Sequence, residues 1–515
     1  MRVSEILNDM DEGDAAESAA AALDWLAGHG GQFGQFIGGA LTDARGGIAV
    51  ANPATGAPLA MLTDATTAEA DAAIAAARTA QGDWARAPAS ARAAHLAALA
   101  AALRSEGRRL ALLTTLTTGR TLRSTLEVEM AGAAECLERH AARAALLPQT
   151  CPDSKPLGVC GLILPARFPV WALLRSAGPA LAAGNTLVVS AAPQAALPAL
   201  LFAEICRKAG LPAGVVNVLT ETDTGAHIAG HAGIDRLVVA GPALPKLDGA
   251  EAERGRVMTE APHGPCWFIV DAEADIEAAI ADLVDAAWGR PGPATAAGLH
   301  LLVQEGIAET FHARLQHRIR QLSPGDPLSP QTDFGPLTSP DDIGRLKALV
   351  ESAREDGEVF QPDMDITERD IFPPTLVTGL SPASPAMQAE DPGPVLLSKT
   401  FRTADEAVQM VNAAAPRPAA SLWSESLTTA FAIAPKLTAG TVWINAVNPT
   451  DPNVRSALED THAMDFLRPK SAPVADVAPD TLPPDTNASG MDDPATAISA
   501  ARKAQSLKFT SKTRK

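Results

Sequence analysis

The sequence predicts an α/β protein organised around a doubly wound parallel sheet, followed by a second α/β unit. Three observations carry this. Short apolar runs, GVCGLIL (158–164), TLVVS (186–190), VVNVL (215–219) and RLVVA (236–240), alternate with helical stretches at 195–209 and 223–230. That alternation marks parallel βαβ units, whose strands are buried on both faces. The same rhythm returns with CWFIVD (266–271), a helix over 274–287, LHLLVQ (299–304), a helix over 306–322, the run 391–398, a helix over 404–413 and AGTVWIN (439–445). Finally, 515 residues with 46% apolar and 20% charged content suit a globular chain of two to four domains, at roughly 150 residues each.

The elements follow in order. Residues 16–27 form an Ala-rich helix stopped at Gly28. The glycine stretch GHGGQFGQFIGG (28–39) follows a helix and runs into the strand-like FIGGALTD. A dinucleotide loop needs the opposite order, strand then helix, so this stretch reads as a connector. Amphipathic helices are expected over 67–82 and 88–106, the second opened by Pro88, and two more over 107–119 and 121–145. LLPQTCPDSKPL (146–157) is short and Pro-rich, and residues 467–490 are rich in Pro, Asp and Ala and read as a linker. A last helix has Asp493 as N-cap, Pro494 at its first position and then ATAISAARKAQ. Its AISAARKAQ (497–505) matches AIAAARTAQ (73–81) at seven of nine positions. Shared alanine bias and a remnant of a duplicated module both account for that match. The tip from Arg502 to Lys515 holds six basic residues and no acid, which suits docking on the acidic body or on a partner.

Composition excludes several functions. The net charge of −18 argues against nonspecific binding to nucleic acid or anionic membranes. Tyrosine is absent and aromatics are 4%, so no tyrosine acts as general acid and stacking platforms for single strands are scarce. The five cysteines (136, 151, 160, 206, 266) are odd in number and form no CxxC, which suggests neither a disulfide framework nor a zinc cluster. His227 and His231 have HxxxH spacing without the glutamate of HExxH, and Gly230 falls between them, so no metal site is expected. The start, MRVSEILNDMDEGDAAESAA, has no apolar signal region, and no long uncharged apolar window suggests a membrane span. A cytoplasmic protein is expected.

The run PLGVCGLILPARFPVWALLRSAGPALAAGNTLVVSAAPQAALPALLFAEICRKAGLPAGVVNVLTE (156–221) resembles the aldehyde dehydrogenase superfamily, above all in the phrases PALAAGNT and AGLPAGVVNVL. The likeness extends from about residue 37 to about residue 445, and HGGQFGQFIGGALTD is similar to the family-16 branch, some of whose members carry a second, degenerate module. The resemblance implies a Rossmann-type cofactor domain (37–145 and 158–259) and a catalytic-type α/β domain (260–445). Around them it places an N-terminal helical extension (1–36), a shortened oligomerisation-hairpin segment (146–157), a return segment and linker (446–490), and a C-terminal helix with a basic tip (491–515). The family's C-terminal pairing strand is expected to be replaced by the linker, which puts the usual dimer or tetramer in doubt.

In this superfamily a cysteine thiolate attacks the aldehyde, and an Asn side chain and a backbone N–H hold the oxyanion. Hydride then leaves for NAD or NADP, and a Glu activates the water that releases the acid. The resemblance sets each role against a residue here. Aligning on AAGLHLLVQE puts Thr295 at the nucleophile position, flanked by Pro291 and Pro293. A threonine hydroxyl has a far higher pKa than a thiol and needs an adjacent base, so the loop reads as filled and non-catalytic. No cysteine lies beyond Cys266, and Cys160 and Cys266 read as inert core thiols. PARFP (165–169) places Arg167 at the oxyanion-donor position, and MTEAPHG (258–264) places Glu260 at the general-base position. Glu260 and Arg167 are expected to face one cavity and to pair. Among cofactor positions, Ser190 replaces the ribose-binding Lys and Pro193 a nearby Glu. Gly241 keeps the pyrophosphate turn but is followed by Pro242, and Glu390 keeps the second ribose anchor, in EDPGP. NAD or NADP binding is therefore expected to be weak or lost. Trp267 and Trp288 are read as core.

These readings make the chain a catalytically impaired member that acts as partner or regulatory subunit of an active aldehyde dehydrogenase, or pairs with itself. The alternatives are an active NAD(P)-dependent aldehyde oxidoreductase with a rebuilt site, and a binding module for an acidic metabolite with Arg167 as anion anchor.

Overall fold

The computed structural model describes residues 16–468, apart from 224, 241–256, 260–265, 292–294, 296–297, 338–339, 365, 367–370, 382–383, 390, 415–418 and 448–462. The linker beyond 468, the helix signal at 493–505 and the basic tip lie outside the described residues.

Two seven-stranded sheets organise the chain. In the first, the order across the sheet is Val257–Thr259, Arg236–Val239, Val159–Leu164, Thr186–Ala191, Val216–Thr220, Phe36–Ile37 and Ala40–Leu41. The first five strands run parallel, and the last two add antiparallel. Val159–Leu164 and Thr186–Ala191 are buried at every position, the signature of strands covered on both faces. Strand order reverses between Val159–Leu164 and Arg236–Val239. A doubly wound sheet opens its ligand crevice at such a reversal, beyond the carboxyl ends of the strands. Arg167 and Phe168 leave the sheet there.

The second sheet runs Glu358–Phe360, Thr375–Thr378, Gly393–Phe401, Gly298–Gln304, Cys266–Val270, Ala419–Trp423 and Thr441–Ile444. All pairs are parallel except the first. The predicted doubly wound architecture with a second α/β unit is the architecture observed.

Several local expectations are corrected. The helices expected at 88–106 and 107–119 are one helix, Ala89–Thr118, with Pro88 as its cap. Gly107 sits inside it, where an added Cβ would meet nothing within 4 Å. Burial of Leu96, Leu103, Leu110 and Leu113 holds the helix through the weak point. It stops at Gly119, whose φ of 77° only glycine adopts without strain. Residues 225–230, expected as part of a helix over 223–230, are turns instead. The segment 146–157 is not a hairpin: the helix Ala131–Thr150 runs into it with Pro148 inside, and only Lys155–Pro156 is extended. That pair meets Leu467–Arg468 antiparallel, so a short pairing strand exists where only linker was expected.

The N-terminal extension is part of the body. Trp25 and Leu26 on the helix Ala20–Gly28, with Phe33 beyond it, join the core of the first sheet. Glu204 clamps them, accepting from Trp25 Nε1 at 2.9 Å and meeting His29 Nε2 at 3.0 Å.

Candidate functional site

A cleft of about 160 Å³ opens at the strand reversal of the first sheet, closed on its other side by residues of the second. Arg120, Arg167 and Phe168 come from the first unit, and Trp288, Thr295, Asp342 and Phe372 from the second.

Gly119 lets the chain turn so tightly against Pro336 that a Cβ there would lie 2.7 Å from the Pro336 carbonyl oxygen. The next residue, Arg120, is thereby delivered to the cleft. Its guanidinium stacks 3.9 Å above the Phe168 ring. Its Nη2 donates to Ser124 Oγ at 2.7 Å and to the Pro291 carbonyl at 3.2 Å. Phe168 has φ 51° and ψ 49°, a left-handed conformation unusual for a bulky residue. Such strain costs on the order of 1–3 kcal/mol and persists only where the surroundings over-determine it.

Glu129 supplies that constraint. It lies in the π-helical stretch Thr125–Met130, and its side chain is fully buried. Its Oε2 accepts from Val170 N at 3.0 Å and Trp171 N at 3.3 Å. The carboxylate thus caps the N-terminus of the helix Pro169–Ala182, where N–H groups have no helical acceptor. Its Oε1 lies 3.6 Å from Arg120 Nε. Burial pushes the Glu129 carboxyl above its ordinary range, against the pull of Arg120 and the two N–H groups. Burial likewise pulls the Arg120 guanidinium down.

Arg167 lines the cleft as expected, but the carboxylates on it are Asp391 at 2.9 Å and Asp342 at 3.4 Å. Arg345 bridges the same two at 3.4 and 3.1 Å. Burial works to lower the Arg167 pKa, but Asp391 and then Asp342 raise it above its ordinary value. The expected partner, Glu260, lies outside the described residues, as do Gly241 and Glu390. Thr295 is buried and lines the cleft. Trp288 is buried, yet it also lines the cleft and donates from Nε1 to the Pro394 carbonyl at 2.9 Å.

None of the five thiols lines the cleft. Cys160, Cys206 and Cys266 are buried, and burial drives the thiols of Cys206 and Cys266 far above the ordinary range.

Ser190 is fully buried at the end of its strand. Its hydroxyl donates to Glu221 Oε2 at 2.7 Å, and the Gly225 N–H donates to both oxygens, at 2.7 and 2.9 Å. Glu221 is buried too, with His227 Nδ1 3.4 Å from its other oxygen. Burial pushes its carboxyl up. This buried knot holds Ser190, the residue that the resemblance sets at the ribose-binding lysine position. No cluster of metal-ligating side chains occurs among the described residues: His227 faces Glu221 and His231 faces Asp71.

Sequence reasoning missed Arg120, Glu129, Glu221, Asp342 and Asp391. Only Asp391 had a signal, its place beside Glu390 in EDPGP.

Residues 41–457 match the profile described as "Aldehyde dehydrogenase family". Among curated relatives, betaine aldehyde dehydrogenase 2 of Rhizobium meliloti (strain 1021) is 33% identical over 431 residues, covering 81% of this chain and 90% of that protein. An aldehyde dehydrogenase of Aspergillus niger is 31% identical over 415 residues, covering 77% and 83%. Among solved structures, a putative aldehyde dehydrogenase from Burkholderia cenocepacia superposes with a TM-score of 0.76 at 30% identity, covering 85% of this chain and 96% of that one. An indole-3-acetaldehyde dehydrogenase in complex with NAD+ gives 0.76 at 27%, covering 88% and 99%.

Proposed function

The chain belongs to the aldehyde dehydrogenase family, and we propose that within it this chain is catalytically impaired and serves as partner or regulatory subunit of an active relative. The observation that carries this reading is Thr295 in the wall of the cleft, with every thiol of the chain elsewhere. An acyl-enzyme thioester needs a thiolate within reach of the carbonyl carbon. A threonine hydroxyl offers neither the acidity nor the leaving group.

The other residues agree. Arg167, at the oxyanion-donor position, is held between Asp391 and Asp342, and donors of an oxyanion hole must aim at the reacting oxygen instead. The NAD or NADP that the family uses as hydride acceptor finds a poor fit at Ser190. That hydroxyl is buried and taken by Glu221, and a short serine does not replace a lysine's reach. Cofactor binding is accordingly weak or lost in this reading.

A second reading has its own support. Several relatives are named as betaine aldehyde dehydrogenases, others as aldehyde dehydrogenases, and a neighbouring structure is an NAD+ complex. The names therefore favour an active NAD(P)-dependent oxidation of an aldehyde to its acid, with Glu260 as base and a rebuilt site. Calorimetric titration of the purified chain with NAD+ and NADP+ separates the two. No heat up to millimolar cofactor is expected from the impaired chain, whereas micromolar binding supports the rebuilt site. The partner role is tested by adding the chain to an active relative, where a changed rate or a joint sedimenting species is expected.

A further inference from the structure

We propose that the cleft is a binding site for a small carboxylate with an aromatic or branched aliphatic body, and that Arg120, not Arg167, takes its charge. The inference deepens the acidic-metabolite alternative and rests on the same cleft, but not on whether the chain oxidises anything.

The size comes first. A cavity of about 150 Å³ accommodates benzene, and this cleft measures about 160 Å³. Its apolar wall includes Phe168, Trp288, Phe334 and Phe372. A ligand with one ring or a short branched chain matches both facts.

The charge decides the rest. Arg120, Arg167, Asp333 and Asp342 are the ionised side chains lining the cleft among the described residues. Arg167 already donates to two aspartates, Asp391 and Asp342. Asp333 accepts from the Ser323 N–H at 3.0 Å and faces Arg123 at 3.6 Å. Arg120 is different. Its nearest carboxylate among the described residues, Glu129, stands 3.6 Å away and has turned one oxygen to the helix N-terminus. Among the described residues, both side-chain hydrogen bonds of Arg120 leave from Nη2 and its Nε has no acceptor. Of the two arginines, Arg120 is therefore the less closely compensated. The guanidinium is also rigid, fixed by the Phe168 ring, Ser124 and the Pro291 carbonyl. A planar fork held in advance binds a carboxylate without first losing rotamer freedom.

Benzoate is the probe, titrated calorimetrically into the full chain, with benzamide as the uncharged control of the same shape. Saturable one-site binding of benzoate is expected, at least tenfold tighter than benzamide. Arg120→Gln is expected to weaken benzoate at least tenfold, and Arg167→Gln to leave it within threefold. Because Arg120→Gln strands the Glu129 charge, the double variant Arg120→Gln/Glu129→Gln is measured beside it, with folding checked by circular dichroism. Benzoate binding no tighter than benzamide in the unaltered chain overturns the proposal without reference to any variant. So does equal benzoate affinity in a folded Arg120 variant, or loss of binding in Arg167→Gln alone. Aldehyde turnover would overturn the impaired-enzyme reading and leave this one standing.

Discussion

Replacing Glu129 tests whether the buried carboxylate holds the strained entrance to the cleft. Glu129→Ala removes three things at once: the acceptor of the Val170 and Trp171 N–H groups, the counter-charge of Arg120, and the restraint on Phe168. Stripping one partner from a buried ion pair costs about 3–5 kcal/mol, and each orphaned N–H adds about 1 kcal/mol net. The Arg120 side chain keeps 15% exposure at the cleft, so water relieves part of the charge term. A total of about 3 kcal/mol is a fair lower figure, or about two decades in an opening equilibrium. A chain with two sheets is not expected to unfold in one step, so the assay is hydrogen exchange of the helix Pro169–Ala182. Its first two turns should exchange about 100-fold faster in Glu129→Ala. In Glu129→Gln, which keeps a carbonyl acceptor but drops the charge, the increase should be about tenfold. Exchange within threefold of wild type in Glu129→Ala would refute the argument that Glu129 pins this helix.

Two further outcomes are expected. His300 is buried with its ring edge against Trp267, neither ring nitrogen has a partner among the described residues, and burial, followed by Lys399, lowers its pKa to about 3. The unfolded chain takes up this proton near pH 6.5 and the folded chain does not, so stability is full above that pH and falls as pH drops towards 3. The loss at pH 5 is about 2 kcal/mol, and His300→Leu should flatten the urea midpoint between pH 7 and pH 5, whereas an unchanged slope counts against it. Glu204→Ala, which releases Trp25 and His29, should cost about 1–3 kcal/mol locally and expose the helix Ala20–Gly28 to limited proteolysis; unaltered cleavage would mean that apolar packing alone holds the extension.

The strands Val159–Leu164, Thr186–Ala191, Val216–Thr220, Cys266–Val270 and Gly298–Gln304 were legible because they are buried along nearly their whole length and read as continuous apolar runs, whereas Val257–Thr259, Glu358–Phe360, Thr375–Thr378 and Ala419–Trp423 were not read as strands. Helix ends were less so. Gly107 looked like a break, yet packing on either side carries the helix through it, and Gly225 with its φ of 89° belongs to a turn that amphipathic spacing mimics. Thr295 and Arg167, singled out from local phrases, do line the cleft. Their partners were not. Arg167 and Asp391 are separated by 224 positions, and Ser190 and Glu221 by 31. Glu129 left no trace, because its inward aim comes from a π-helical stretch that shifts the face predicted by a regular period.

The proposed loss of thiolate chemistry at Thr295 is tested most directly by steady-state aldehyde oxidation. The purified chain is assayed with NAD+ and with NADP+ against a panel of aliphatic, aromatic and betaine-type aldehydes, following reduced cofactor. No formation above the protein-free rate is expected with any pair. Turnover by the unaltered chain that disappears in Glu260→Gln would contradict it and establish the rebuilt site.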